Sequence, residues 1–191
     1  NIEFKNIKRV LVIGMGSSFN AGLLGSYYFE SISSLKSETI NASEFIDSKR
    51  IIDNNDLVLG VTQSGETAET IKALEYAKYM GAKTISVTEK NISQASIISD
   101  VNVNIGCGPE YAVASTKTFT ATVLTLYITA IYLSKNISNK KGLENNILGL
   151  DSKIESLLLD TKKTKQIAKI LSAKDHILYL GRGIMYPVAL E

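Results

Sequence analysis

Short apolar runs alternate along this chain with longer stretches of mixed character. The first run, Arg9-Val10-Leu11-Val12-Ile13-Gly14, is apolar without interruption, the pattern of a strand buried on both faces. The turn Gly14-Met15-Gly16-Ser17-Ser18 follows, and then a predicted helix over 19–33. Ala21, Gly22, Gly25 and Ser26 leave part of that helix nearly bare. Glycine and serine lower helix propensity, so their clustering here predicts close packing, against the sheet. A second strand is predicted at 37–40, a short helix at 42–49, a polar turn at 53–56 and a third strand at 56–61. In the next predicted helix, 68–80, Ile71, Leu74, Ala77 and Met80 recur at three-residue steps and mark a buried face. Gly81 supplies its stop. A fourth strand, 83–88, alternates polar and apolar residues. Val101, Val103 and Ile105 alternate with Asn102 and Asn104, as a half-exposed edge strand does.

Between Lys117 and Lys135 there is no charge, yet the run is shorter than the ~20 apolar residues of a membrane span. Thr118, Thr122, Thr125 and Thr129 recur at helical spacing. This predicts a buried helix whose threonines bond back to their own backbone. The texture then changes. Residues 135–142 are polar and read as a linker, and 143–159 and 162–171 read as two helices with a solvated lysine face. His176-Ile177-Leu178-Tyr179-Leu180-Gly181-Arg182-Gly183 reads as a fresh strand ending in Gly-x-Gly. It repeats the first one: Gly14, Gly16 and Phe19 match Gly181, Gly183 and Tyr186 at one constant offset. Such a repeat predicts a duplicated domain. The expected organisation is a domain over 1–135, a helical linker over 136–172 and the opening of a second copy over 173–191. The strand–helix alternation argues an α/β class, with a parallel sheet and helices on both faces.

Ligands of such sheets bind beyond the carboxyl ends of the strands. Three candidate segments fall there. The densest is Thr62-Gln63-Ser64-Gly65-Glu66-Thr67, with three hydroxyls, an amide and a glycine at a strand-to-helix turn. The first N–H groups of a helix have no internal partner and the dipole is positive there, so an anion, most naturally a phosphate, fits. The competing reading is an ordinary helix start, with Ser64 as N-cap, Gly65 relaxing the turn and Glu66 facing the dipole. Ser17 and Ser18, in the first turn, fit a sugar or phosphate contact. A dinucleotide fingerprint at Gly14-x-Gly16 is set aside because the third position is Phe19, although Glu38 lies near the place of a ribose-binding acid. The third segment is the loop from Gly108 to Lys117. There Ser115 is a ligand contact or a helix cap, and Lys117 neutralises a phosphate or decorates the first turn.

Composition narrows the classes. Of 191 residues, 45% are hydrophobic and 21% charged, and the net charge of +2 singles out neither nucleic acid nor a membrane surface as partner. The one cysteine, Cys107, permits no internal disulfide and fits a reducing compartment. Neither a second thiol nor a nearby histidine supports it chemically, so it fills a small gap. The only histidine, His176, precedes a strand and reads as solvated or capping. Neither a Ser-His-Asp set nor a metal cluster can be assembled, and no cofactor is expected. No signal peptide is read at Asn1, and a cytoplasmic protein is expected.

Gln63-Ser64-Gly65-Glu66-Thr67, Val113-Ala114-Ser115-Thr116-Lys117, and Leu180-Gly181-Arg182-Gly183 with the later Tyr186-Pro187-x-Ala189-Leu190-Glu191 together resemble the sugar isomerase (SIS) domains of the isomerising glutamine–fructose-6-phosphate aminotransferases. The resemblance implies a three-layer αβα sandwich around a parallel, flavodoxin-like sheet. It implies hexose 6-phosphate ligands: fructose 6-phosphate, glucose 6-phosphate and glucosamine 6-phosphate. It places a phosphate pocket on Ser18, Thr62, Gln63, Ser64 and Thr67, and sugar contacts on Ser17, the Val113 backbone and Ser115. Thr62 stands where a serine is usual, and Phe19-Asn20 where an aromatic–histidine pair is usual. The family's catalytic glutamate falls about two helical turns beyond Glu191, so no catalytic residue is expected in this stretch. A homodimer is implied, and the candidate contacts within this stretch are the helices at 21–33 and 143–171. Another phosphosugar isomerase or deglycase of this fold, and a non-catalytic sugar-phosphate sensor, remain alternative readings.

Overall fold

The computed structural model describes residues 4, 6–135 and 137–191. Five strands, β1 (Arg9–Gly14), β2 (Lys36–Asn41), β3 (Asp56–Val61), β4 (Lys83–Thr88) and β5 (Val101–Asn104), form one parallel sheet in the order β2-β1-β3-β4-β5. This is the flavodoxin-like order, in which the chain reverses its direction of travel between β1 and β3. The register there sets Arg9 beside Asp56 and Ile13 beside Gly60. At the amino end of the pair, the Arg9 guanidinium donates to both carboxylate oxygens of Asp56, at 2.8 and 2.7 Å. Such a fork is among the stronger charged contacts.

Alternation along the strands divides the core into two layers. Val10, Val12, Leu57, Leu59 and Val61 pack under α1 (Ser17–Ser31) and α5 (Lys117–Leu133), together with Ala21, Phe29 and Leu126. Leu11, Ile13 and Val58 face α2 (Ala42–Phe45), α3 (Ala68–Tyr79) and α4 (Gln94–Ile98), with Phe45, Leu74 and Ala95. The glycines of α1 serve two neighbours rather than the sheet alone. A β-carbon on Gly22 would lie 2.9 Å from Thr39 Cγ2 and 3.0 Å from Val12 Cγ1, whereas one on Gly25 would lie 2.9 Å from Leu126 Cδ1 of α5.

Within this domain the helix expected over 42–49 ends at Phe45, and the side-chain pattern holds further detail. The buried face of α3 is Thr70, Ala73, Leu74 and Ala77, while Met80 lies beyond the helix and is exposed. The polar residues of β4 do not face water: Thr84, Ser86 and Thr88 are buried. Ser86 and Thr88 both donate to Asn102 Oδ1, at 2.8 and 2.9 Å, and Thr84 donates to Asp100 through its N–H and its hydroxyl. Polar alternation in β4 therefore encodes a side-chain ladder to its neighbour β5. Helix α4 escaped the periodicity because it is only five residues long; Ser93 caps it, in a reciprocal pair with Ser96 rather than the usual Glu or Gln.

Beyond α5 the chain departs further from expectation. The polar stretch expected as a linker is helical over α6 (Ile137–Asn145), and position 136 lies outside the described residues. Polar composition disfavours a core position, not a solvated helix lying on a neighbour; Lys140 Nζ donates to Tyr132 O at the end of α5. The single helix expected over 143–159 is broken, because Gly149 is left-handed (φ 77°) and α7 (Leu150–Leu159) starts after it. Helix α8 (Lys162–Leu171) follows as expected, and neither α7 nor α8 has a buried residue.

The strand expected over 176–183 does not form. A strand exists only with a hydrogen-bonding neighbour, and among the described residues this run has none; His176, Leu178, Tyr179 and Leu180 are exposed. Its turn nevertheless repeats that of β1. A β-carbon on Gly14 would meet the backbone of Ser18 and Phe19 at 2.8–2.9 Å, and one on Gly181 would meet Met185 and Tyr186, the equivalents at the same offset, at 2.1–2.9 Å. Gly16 and Gly183 share a positive φ, 52° and 58°. A 3-10 turn (Gly183–Met185) follows, and then α9 (Tyr186–Leu190), which lies against α1.

Two outcomes test this packing. Gly22→Val forces methyls into Thr39 and Val12 and should destabilise the domain by about 1–3 kcal/mol, read as a lower urea midpoint at unchanged slope. Asp100 ties β5 to β4 and also meets Lys78 at 3.2 Å. Burial pushes its carboxyl up, but the bonds from Thr84 and Lys78 outweigh this and hold it below the ordinary 3.8. A depressed carboxyl stabilises the fold fully above its unfolded value and loses that contribution as pH falls through the folded one. Asp100→Asn should therefore lower stability at pH 7 and flatten the decline of melting temperature from about pH 5 to 3.

Candidate functional site

The carboxyl ends of β1, β3 and β5 open toward one crevice, beside the point where the chain reverses between β1 and β3. A cleft of about 220 Å³ lies there, lined by Ser17 and Ser18 from the start of α1, Gln63 after β3, and Glu110, Val113 and Ser115 from the loop after β5. Met15, Ala112, Phe119, Thr118 and Thr122 complete the wall.

Each segment has a local reason for its shape. After β3 the chain turns at Gly65, which has φ 72°, and a β-carbon there would lie 2.1 Å from Ser93 Oγ. Only glycine suits both the backbone angle and this approach. The loop is fastened to α4 by Ala95 N–H donating to Gly65 O at 3.0 Å and by Gln94 N–H donating to Glu66 at 3.2 Å. Ser64 is not the helix cap. Helix α3 has Thr67 as its N-cap, with no side-chain capping bond, and Ser64 Oγ instead accepts the Glu66 N–H at 3.1 Å. Thr67 shares a 2.8 Å hydrogen bond with Thr62, whose side chain is buried, and so leaves the helix start without a side-chain acceptor.

Ser115 is not a cap either. Helix α5 has Thr116 at its N-cap, and the Glu110 carboxylate accepts the N–H groups of Thr116 and Thr118, both at 3.2 Å. Those bonds hold the Glu110 carboxyl below its ordinary range. The threonine stripe of α5 divides in two: Thr125 and Thr129 bond back to Ala121 O and Thr125 O at 2.8 Å, while Thr118 and Thr122 line the cleft. Cys107 is half-buried, as a gap-filling residue would be, with its thiol 3.3 Å from Glu89 Oε2. Glu38, once a candidate ribose ligand, pairs with Arg50.

Of the sequence-derived candidates, Ser17, Ser18, Gln63, Val113 and Ser115 meet at the cleft, while Thr62, Ser64 and Thr67 lie in the adjoining loop and not on its wall. Glu110, Thr118 and Thr122 were missed as lining residues. Helical spacing does place Thr118 and Thr122 together, but periodicity cannot say which end of a helix faces a cavity. Glu191 was also missed: it accepts from Ser17 Oγ at 2.6 Å and from Asn20 Nδ2 at 3.0 Å. Among the described residues, no group of three His, Cys, Asp or Glu side chains could hold a metal ion, and no helix is long and apolar enough to cross a membrane.

Comparisons with known proteins agree with this architecture. The SIS domain profile matches residues 3–132. The glutamine–fructose-6-phosphate aminotransferase (isomerizing) of Aquifex aeolicus is 37% identical over 189 residues, covering 99% of this chain and 31% of that protein. The chain thus spans about a third of the length of such relatives. The C-terminal domain of glucosamine-fructose-6-phosphate aminotransferase from Francisella tularensis superposes with a TM-score of 0.92 at 26% identity, over 97% of this chain and 54% of that one. A glucosamine-6-phosphate deaminase from Thermotoga maritima shares the fold at 22% identity, with a TM-score of 0.71 over 95% of this chain and 55% of that one. The matched profile ends within α5, so it takes in all five strands and the three segments that frame the cleft, and the chain belongs to the SIS domain family.

Proposed function

We propose that this chain is the sugar-phosphate-binding part of the isomerase region of an isomerising glutamine–fructose-6-phosphate aminotransferase. Its ligands are fructose 6-phosphate, glucose 6-phosphate and glucosamine 6-phosphate. The observation that carries this reading is the meeting of three sequence-distant segments, Ser17–Ser18, Gln63 and Val113–Ser115, at one crevice beside an uncapped helix start. In this reading Ser18, Thr62, Gln63, Ser64 and Thr67 serve the phosphate, whose charge suits the unpaired N–H groups of α3. Ser17, the Val113 backbone and Ser115 serve the sugar. The similarity to the Aquifex aeolicus aminotransferase over nearly all of this chain supports the choice of substrate class.

The same reading takes 1–135 as a first SIS domain, 136–172 as a helical linker and 173–191 as the opening of a second; the matching turns at Gly14 and Gly181 support it. The parent protein is a cytoplasmic homodimer. Exposed Leu157, Leu158, Leu159 and Ile170 on α7 and α8 support a further body packed on these helices. No catalytic base is assigned within these residues, and no cofactor, so the chain binds without turnover.

Titration calorimetry with glucose 6-phosphate and with glucose tests the binding. The 6-phosphate should bind and glucose should not. A hydrogen bond to a charged group contributes about 1.5–3 kcal/mol, so Ser64→Ala should weaken the 6-phosphate by roughly tenfold to a hundredfold. Because Ser64 does not cap α3, its removal should leave the ligand-free melting temperature nearly unchanged. Equal binding of glucose, or an unchanged affinity in the variant, would overturn the assignment. A second assay supplies fructose 6-phosphate and ammonia. Glucosamine 6-phosphate should not form above background, and turnover by a clean preparation would contradict the absence of a base.

A further inference from the structure

The loop that carries Glu110, Val113 and Ser115 to the cleft has little apolar burial to hold it: Tyr111 is 91% exposed and Val113 fully so. Ile105 pairs with Thr88 O of β4, and beyond it a side chain outside the cleft wall gathers the start of the loop. Glu89 follows β4 directly, and its carboxylate accepts the N–H of Gly108 at 2.8 Å and the N–H of Cys107 at 3.0 Å. Gly106 and Gly108 both have φ near +73°. Left-handed residues in such a run turn successive N–H groups toward one point, forming a concavity that fits an anion. A carboxylate, acceptor-only with two oxygens, satisfies it fully. The backbone of the same residue reaches both ways. Its N–H donates to Gln63 O at 3.1 Å, and its carbonyl accepts from Asn104 Nδ2 at 2.7 Å.

We infer that Glu89 is a positioning residue that ties the wall made by residues 108–115 to the loop holding Gln63, and so sets the width of the cleft for the sugar. Its consequence for sugars rests on the hexose 6-phosphate reading above; the tie itself does not. Removing the carboxylate releases the start of the 108–115 wall but leaves the Gln63 bond, which is backbone to backbone. The loss is therefore selective: it falls on the sugar and spares the phosphate. Glutamine keeps one acceptor oxygen but turns an NH2 toward backbone donors, so Glu89→Gln is an intermediate case.

The test combines amide hydrogen exchange with calorimetry on wild type, Glu89→Ala and Glu89→Gln. In Glu89→Ala the amides of 107 and 108 should lose protection by about tenfold or more while those of β1 and β3 stay unchanged. Affinity for glucose 6-phosphate should fall by about tenfold, and affinity for inorganic phosphate by less than about twofold. Glu89→Gln should lie between the parent and the alanine variant on both scales. Unchanged protection at 107 and 108 overturns the tie. A parallel loss of both ligands overturns the selective role, because Glu89 then acts on the phosphate loop or the whole fold. Loss of cooperative melting in both variants overturns it too, since a positioning residue is dispensable to folding. If wild type binds neither ligand, the hexose 6-phosphate reading fails, and exchange alone still decides the tie.

Discussion

The pairing of β1 with β3 is the constraint on which the molecule rests. Both strands are covered on two faces, so between Val10 and Ile13, and between Leu57 and Val61, there is no room for a group that needs water. Arg9 and Asp56 close the pair at its amino end with a two-pronged contact. Polar chemistry is left to the carboxyl end, where the backbone must turn sharply to reach α1 on one face and α3 on the other. The crevice between those two departures follows from topology alone.

Two different devices hold the walls of that crevice. On the side of α3 the device is steric: Gly65 lets the chain approach Ser93 so closely that α4 becomes a buttress for the loop. On the side of α5 it is electrostatic: Glu89 and Glu110 each collect backbone N–H groups that the irregular loop cannot pair internally. Unpaired N–H groups in a half-buried loop would be costly, so fixed carboxylates stand in for a missing strand. The polar ladder of Ser86, Thr88 and Asn102 extends this fabric back into the sheet.

The five strands were legible because each is a short apolar or alternating run of the right length, and the site segments because hydroxyls and glycines cluster where such runs end. The roles of individual side chains were less legible. Nothing in Ser64 or Ser115 distinguishes a cap from a bystander; that depends on whether Thr67 turns onto Thr62 and whether Glu110 reaches back to Thr116, contacts made across turns of unknown shape. The tail shows a different limit. His176 to Gly183 has the composition of a strand, yet strand formation is a property of pairs, and the sequence of one member does not supply the other. Its turn, which depends only on local glycine geometry, was foretold by the repeat and does form.

Cys107 gives the loop after β5 a chemical signature. Burial raises its thiol above the ordinary value; the hydrogen bond with Thr118 opposes this, and the neighbouring Glu89 carboxylate, to which it donates, raises it again, with a net upward shift. The thiolate is the nucleophile, so this sulfur is slow toward alkylating reagents and peroxides while the loop lies against β4. As the sole cysteine of the chain, it makes the rate of thiol labelling a clock for that wall of the cleft, readable without any introduced probe.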